Sequence, residues 1–398
     1  MNFLTGLALA RFLGLEGYGE YVLVYGAILF FSTLQMSLVL SPMMVKGAGI
    51  EESSRRKYFS SVLVQQLLFC VASGTSIIAG GFAVGMVVDF SRFERFLVPV
   101  ALATSAFLMQ DYYRRYFFLV KQPVAAIVND IISYGVLFGL VLSFGIARNI
   151  DTGRALWFMA LSFSVASLAA FLQTRRTMRL ELGGRAYFAK ILRENYHFGK
   201  WLLGVNVMYW GQGQVLNYFV AGLISVVVVG AINACMNVLG VLRIFYLGLN
   251  NILLPEASRA YKRKGMEGLR TYLGKVSFFG GALTLVIVLI AGVWNEYWLM
   301  LLYGNTYSGY GWIVIWWGVY FLVGFFHRPY VAGLSVLDRT KRVFQSMLIG
   351  FGLFIILSYP LTTLYQTLGI MTLMCVSNLV TLLLLGCFFK SEAKRLSA

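Results

Sequence analysis

The chain has 398 residues, of which 59% are hydrophobic and 12% charged, with a mean hydropathy of +0.76 and a formal net charge of +17. A soluble globule carries about 25% charged residues, so these values exclude an ordinary soluble enzyme, a disordered chain, a collagen and a disulfide scaffold; the chain must live in lipid. The four cysteines, Cys70, Cys235, Cys375 and Cys387, all fall in apolar runs without ligand spacing. They are expected to be four buried thiols, with no bridge and no metal.

A helix that crosses a bilayer needs about 20 mostly apolar residues. Such runs lie near 19–41, 60–84, 96–113, 124–147, 155–173, 201–220, 226–254, 276–302, 311–333, 343–364 and 368–389. Residues 1–14 are apolar too but too short, since fourteen residues at ~1.5 Å each reach about 21 Å against a core of ~30 Å. They lack a basic leader and a cleavage site, and read as the outer end of a helix whose first part is not in this chain.

Charge alternates from loop to loop. One set of loops holds 26 Lys and Arg against 9 Asp and Glu; the opposite set holds five bases (Arg11, Arg92, Arg95, Arg148, Arg154) against six acids. That is the positive-inside pattern, which puts the basic loops and the C-terminus in the cytoplasm. The net charge is therefore topological, and nucleic-acid binding is not expected. Arg243, Arg328 and Asp130 remain within or near the spans.

The longest basic stretch divides the chain near its middle. The predicted organisation is an N-terminal six-helix lobe over 1–174 with an incomplete first helix, a basic cytoplasmic linker over 175–200, and a C-terminal six-helix lobe over 201–398. The halves repeat. Gly19 and Gly230 lie at an offset of 211, and Pro42 and Pro255, each before a basic loop, at one of 213. Both halves begin on the same side, so the repeat is parallel, with two bundles related by an axis along the membrane normal. The fold class is an all-α membrane protein of about 12 transmembrane helices in two pseudo-symmetric lobes.

Three motifs carry a family resemblance: Ala10-Arg11-Phe12-Leu13-Gly14 through Gly17-Tyr18-Gly19, Ala221-Gly222-Leu223 through Val229-Gly230-Ala231-Ile232-Asn233, and Leu254-Pro255-Glu256-Ala257-Ser258-Arg259. Leu302-Tyr303-Gly304-Asn305-Thr306-Tyr307 adds to them. At these residues the chain resembles the polysaccharide-exporter family of oligosaccharide flippases, within the wider group that includes MATE drug exporters. The resemblance implies a MATE-like fold and a carrier of undecaprenyl-diphosphate-linked oligosaccharide in the bacterial inner membrane. It also implies dealings with membrane lipids and with polysaccharide polymerase and export proteins. The alternatives are a MATE-type drug exporter and a non-transporting component of glycan assembly. No catalytic motif appears, and the only two histidines are far apart in sequence, so no enzyme, cofactor or metal is expected.

Charges buried in a membrane cost about 2.5–3.5 kcal/mol on insertion scales and are functional candidates by default. Arg243 sits in mid-span, where it could meet a diphosphate with bidentate contacts or pair with Asp130. Asp130, beside Asn129, could be an ion-linked switch or the satisfied partner of a donor. Asp111 and Arg115 are i,i+4 on one helical face, which turns Arg114 elsewhere, toward an entering anionic head group. His327 and Arg328 precede Pro329, a candidate hinge with a polar lining. Arg11 reads as a snorkelling residue or a gate contact. Asn206, Gln212, Gln214 and Asn217, among Tyr209, Trp210 and Tyr218, could line a sugar-binding surface or tie helices together. Trp294, Trp298, Trp312, Trp316 and Trp317 read mainly as an interfacial belt.

Overall fold

The structure, a computed structural model, describes every residue except 1, 48–49, 88–90, 176–180, 182 and 398, and the side chains of all of these but 2, 3, 52, 53, 201, 205, 209, 212, 251, 396 and 397. In chain order the helices are α1 (Asn2–Gln35), a π-helical turn (Met36–Leu40), α2 (Ser41–Gly47), α3 (Glu52–Gly85), α4 (Ser91–Glu94), α5 (Leu97–Leu119), α6 (Pro123–Ile146) and α7 (Thr152–Thr174). There follow α8 (Gly184–Leu223), α9 (Val226–Val238), α10 (Gly240–Val293), α11 (Asn295–Tyr303), a 3-10 turn (Asn305–Tyr307), α12 (Gly311–Val336) and α13 (Thr340–Ser397). No strand occurs among the described residues. The all-helical membrane class expected from composition is the one observed.

Six helical stretches among the described residues are long and apolar enough to cross a membrane. Three of them run to 44 residues (Leu4–Gly47), 54 (Gly240–Val293) and 56 (Thr340–Arg395). At ~1.5 Å per residue each is at least twice as long as a ~30 Å core requires. Each is broken by non-helical backbone: Gly14 (φ 69) in α1, Lys264 and Gly265 (φ 57) in α10, and Gln366 (φ 48) in α13. The breaks at Lys264–Gly265 and Gln366 fall in the gaps between predicted spans and leave a stretch on each side long enough to cross, whereas the part of α1 before Gly14 is short. Gly14, at φ 69 and ψ −175, lies in a backbone region that essentially only glycine enters, at a cost to any side chain of about 1–3 kcal/mol, which accounts for glycine there.

Local chemistry sets the turns. α5 ends with Lys121 at φ 60 and Gln122 N–H donating to Phe117 O at 2.8 Å. α12 ends in the same way, with Asp338 at φ 57 and Arg339 N–H donating to Leu334 O at 2.8 Å. Both are six-to-one helix stops, at corresponding places in the two halves of the repeat. Proline shapes the π-helical turn. Pro42 has no N–H for the carbonyl of Leu38, four residues earlier. Gln65 Nε2 donates to that oxygen at 3.2 Å.

The chain forms two compact units, Met1–Val215 and Leu216–Ala398. The division falls inside α8 rather than at the basic stretch, most of whose described residues are themselves helical. The reason lies in the partners of α8. Its first part is tied to the first unit: Ile191 joins that unit's core, Asn195 bonds Gln65, Asn206 bonds Ser37, and Trp210 bonds Gly26 O. Asn217, by contrast, accepts from Asn233 of α9.

The core of the first unit is aromatic, with Tyr58, Phe59, Tyr112, Tyr113, Tyr116 and Phe117 around Leu40 and Met43. Residues 2–13 belong to this unit as a helix; Leu9 and Ala10 are fully buried, and the Phe12 ring packs on Gly145. In the second unit Leu253, Leu269, Leu273, Leu334, Leu385 and Phe389 form a core of α10, α12 and α13. Two expectations are corrected here. Cys387 is exposed, unlike the other three cysteines, because its helical position faces outward. Trp317 is not an interfacial residue: it is buried and donates from Nε1 to Ile232 O at 2.9 Å.

Candidate functional site

Each unit holds a cluster of polar and charged side chains that includes candidates read from the sequence. In the first unit α5 presents Gln110, Asp111, Arg114 and Arg115 on neighbouring faces, since residues three and four apart are helical neighbours. α6 brings Asn129 and Asp130 against them. Asp130 accepts from Gln110 Nε2 at 2.9 Å and pairs with Arg114 Nε at 3.4 Å. Gln110 also donates to Asn129, whose amide reaches Ala166 O of α7 at 2.7 Å. Asp111, nearly buried, lies 3.5 Å from Arg115 Nε and 3.8 Å from an Arg114 nitrogen. The i,i+4 pair read from the sequence is present, but Arg114 bridges two carboxylates rather than standing apart. Two acids and two bases make this cluster neutral.

The second unit is different. Arg328 of α12 lies with its guanidinium 4.2 Å from the centre of the Tyr246 ring and donates to Asn250 Oδ1 at 2.8 Å. Both partners come from α10. Its Nε is buried without a hydrogen bond among the described residues. The neighbouring His327 Nε2 bonds Asn378 O at 2.9 Å, and the Asn378 amide donates to Tyr320 O. Arg243 lies one full turn and more before Asn250 on α10, about 10 Å along the axis at ~1.5 Å per residue. It is exposed and makes no ion pair among the described residues. The pairing considered for it, with Asp130, is taken by Arg114 within the first unit. Thus Arg243 and Arg328 stand on one stretch of α10 and α12, neither meeting a carboxylate among the described residues.

The other candidates are placed as follows. Asn217 is buried and engaged with Asn233 at 2.7 Å. Asn206 donates to Ser37 Oγ and Trp210 Nε1 to Gly26 O, so two polar groups of this stretch tie helices together. Gln214 is half-buried and has a partner. The Gln212 side chain lies outside the described residues. Arg11 is exposed and unpaired among the described residues.

Sequence reasoning counted Glu16, Glu20, Arg92 and Arg95 only as loop charges. In the structure they form the wall of a cavity of about 740 Å³ with Asp151, Thr152 and Phe96. Glu20 is buried and accepts from Arg92 Nε at 2.9 Å, from an Arg95 nitrogen at 3.3 Å and from Thr152 Oγ1 at 3.0 Å. Arg92 also reaches Glu16 at 2.5 Å. Burial alone would lower the pKa of the Arg92 guanidinium, but Glu20, and then Glu16, hold it above its ordinary value. The signal was there: Glu16 and Glu20 are i,i+4, and Arg92 and Arg95 are i,i+3.

No family model and no curated protein matches this chain. Solved structures do. One is an inward-facing multidrug resistance MATE family transporter of the MOP superfamily, 14% identical, with a TM-score of 0.76 over 100% of this chain and 94% of that one. A second is a MOP superfamily transporter from Pyrococcus furiosus described as having a binding pocket of reverse polarity (13% identity, TM-score 0.62, 100% and 92% covered). A third is a eukaryotic MATE transporter (12%, 0.54, 99% and 97%). The chain has the fold of these transporters.

Proposed function

We propose that this chain is a membrane transporter that carries an undecaprenyl-diphosphate-linked oligosaccharide across the bacterial cytoplasmic membrane by alternating access. The observation that carries the choice of cargo is the pair Arg243 and Arg328, two guanidinium groups at membrane depth without a carboxylate among the described residues. Uncompensated charge at that depth is costly and is offset when an anionic group docks. A guanidinium meets phosphate oxygens with two parallel hydrogen bonds. A cation carrier needs the opposite balance, and the acids of the first unit's cluster are already paired with Arg114 and Arg115. Membrane lipids surround this carrier, and polysaccharide polymerase and export proteins receive its product. The basic loops and the C-terminus lie inside.

The second reading, a MATE-type drug exporter, draws on the fold shared with such transporters. One experiment separates the two. Cells lacking the gene are assayed for the sidedness of lipid-linked oligosaccharide and for drug sensitivity, then complemented with the parent, Arg243→Gln and Arg328→Gln. The flippase reading expects cytoplasmic-leaflet accumulation that the parent relieves. Losing one charge-assisted contact worth about 1.5–3 kcal/mol then slows each variant by about tenfold or more. An unchanged lipid-linked pool with raised drug sensitivity would overturn it. Parental rates from both normally inserted variants would remove Arg243 and Arg328 from the site.

A further inference from the structure

The first part of α8 is an amphipathic helix laid against the first unit. At 100° per residue its side chains sort into three adjoining stripes. Tyr187, Ile191 and Asn195 face the unit; Ile191 is part of its core and Asn195 Nδ2 donates to Gln65 at 2.8 Å. Phe188, Leu192 and Tyr196 form the next stripe. Arg185, Arg193 and His197, all exposed, form the third. The middle stripe is one wall of a slot of about 270 Å³, closed by Leu38 of the π-helical turn and by Leu68, Phe69 and Ala72 of α3. The lining is apolar apart from Gln65 and the Tyr196 hydroxyl, and the Gln65 amide is spent on Leu38 O and Asn195. Leu68, Leu192 and Tyr196 are 56%, 44% and 60% exposed, so the slot opens outward.

Depth gives the slot its meaning. The apolar run of α3 begins near residue 60, so Gln65 to Ala72 stand about 8–18 Å beyond its start at ~1.5 Å per residue, and the Asn195–Gln65 bond brings this part of α8, read from the sequence as a cytoplasmic linker, to the level of that run. An apolar slot running inward from a guanidinium-bearing edge matches a molecule with a hydrocarbon chain and an anionic head. We infer that the slot is a binding site for an anionic phospholipid, one acyl chain lying between α3 and α8 and the head group on Arg185 and Arg193. This site lies wholly within the first unit and does not depend on the cargo proposed above.

The test uses the full chain reconstituted in vesicles, with Tyr196→Trp as reporter and Phe188→Trp as a second reporter should the first fold poorly. The parent supplies the background fluorescence. Quenching by brominated phosphatidylglycerol is compared with quenching by brominated phosphatidylcholine. Each basic residue near an anionic head contributes roughly a fivefold preference. Phosphatidylglycerol is therefore expected to be favoured by about tenfold or more, falling about fivefold in Arg185→Gln and in Arg193→Gln. Ala72→Phe, which fills the slot at an exposed position, is expected to abolish the quenching difference. Equal quenching by the two lipids would overturn the proposal and leave an ordinary lipid contact. Stronger competition by undecaprenyl phosphate than by phosphatidylglycerol would overturn the phospholipid as occupant.

Discussion

Glu16 and Glu20 share one partner, Arg92, and differ in burial and in the further partners that burial gives Glu20. The Glu20 side chain is 6% exposed and that of Glu16 64%. Glu20 accepts from Arg92, Arg95 and Thr152, so it holds α1, α4 with its flanking residue, and the start of α7 together. Breaking a fully buried pair costs about 3–5 kcal/mol. Here Arg92 and Arg95 are 40% and 65% exposed and regain water when the carboxylate is lost. The expected cost of Glu20→Gln is therefore about 2 kcal/mol, near that of one charge-assisted hydrogen bond. Glu16→Gln removes an exposed pair, worth about 0–1 kcal/mol. Thermal unfolding of the detergent-solubilised protein measures both. Glu20→Gln should lower Tm by about 2 °C, and Glu16→Gln by about a degree or less. A double-mutant cycle with Arg92→Gln should give a coupling of about 1–2 kcal/mol for Glu20, against less than about 0.5 for Glu16. Equal costs for the two glutamates would refute the claim that burial of Glu20 makes this cluster structural.

The glycines give a second contrast. Gly14→Ala is strained by its φ of 69 and ψ of −175 although no atom lies within 4 Å, and should cost about 1–3 kcal/mol. Gly333→Ala puts a methyl 2.6 Å from the Phe389 ring and 2.8 Å from Leu273, an overpacking cost of about 1–3 kcal/mol. Phe389→Leu should relieve the second, whereas no trimmed neighbour should relieve the first, by the same unfolding assay. In the α5–α6 cluster, Asp111→Asn should destabilise more than Asp130→Asn. Asp111 is nearly buried and lies near both arginines, while Asp130 is a third exposed and keeps its Gln110 bond as an amide. Equal shifts in Tm would count against that assignment.

The amino-acid sequence alone carried the membrane class and the helical architecture. These follow from the length of apolar runs against a bilayer of fixed thickness, a property that needs no partner. It also showed the Asp111–Arg115 pair, because that depends only on residues close in the chain. It could not assign partners across helices. Whether Asp130 meets Arg114 or Arg243, whether Trp317 faces lipid or donates to Ile232, and whether Asn217 lines a surface or binds Asn233 depend on how helices rotate against one another. Glu16 and Glu20 are alike in sequence and unlike in the fold. Only packing sets burial, and burial decides what a charge is worth.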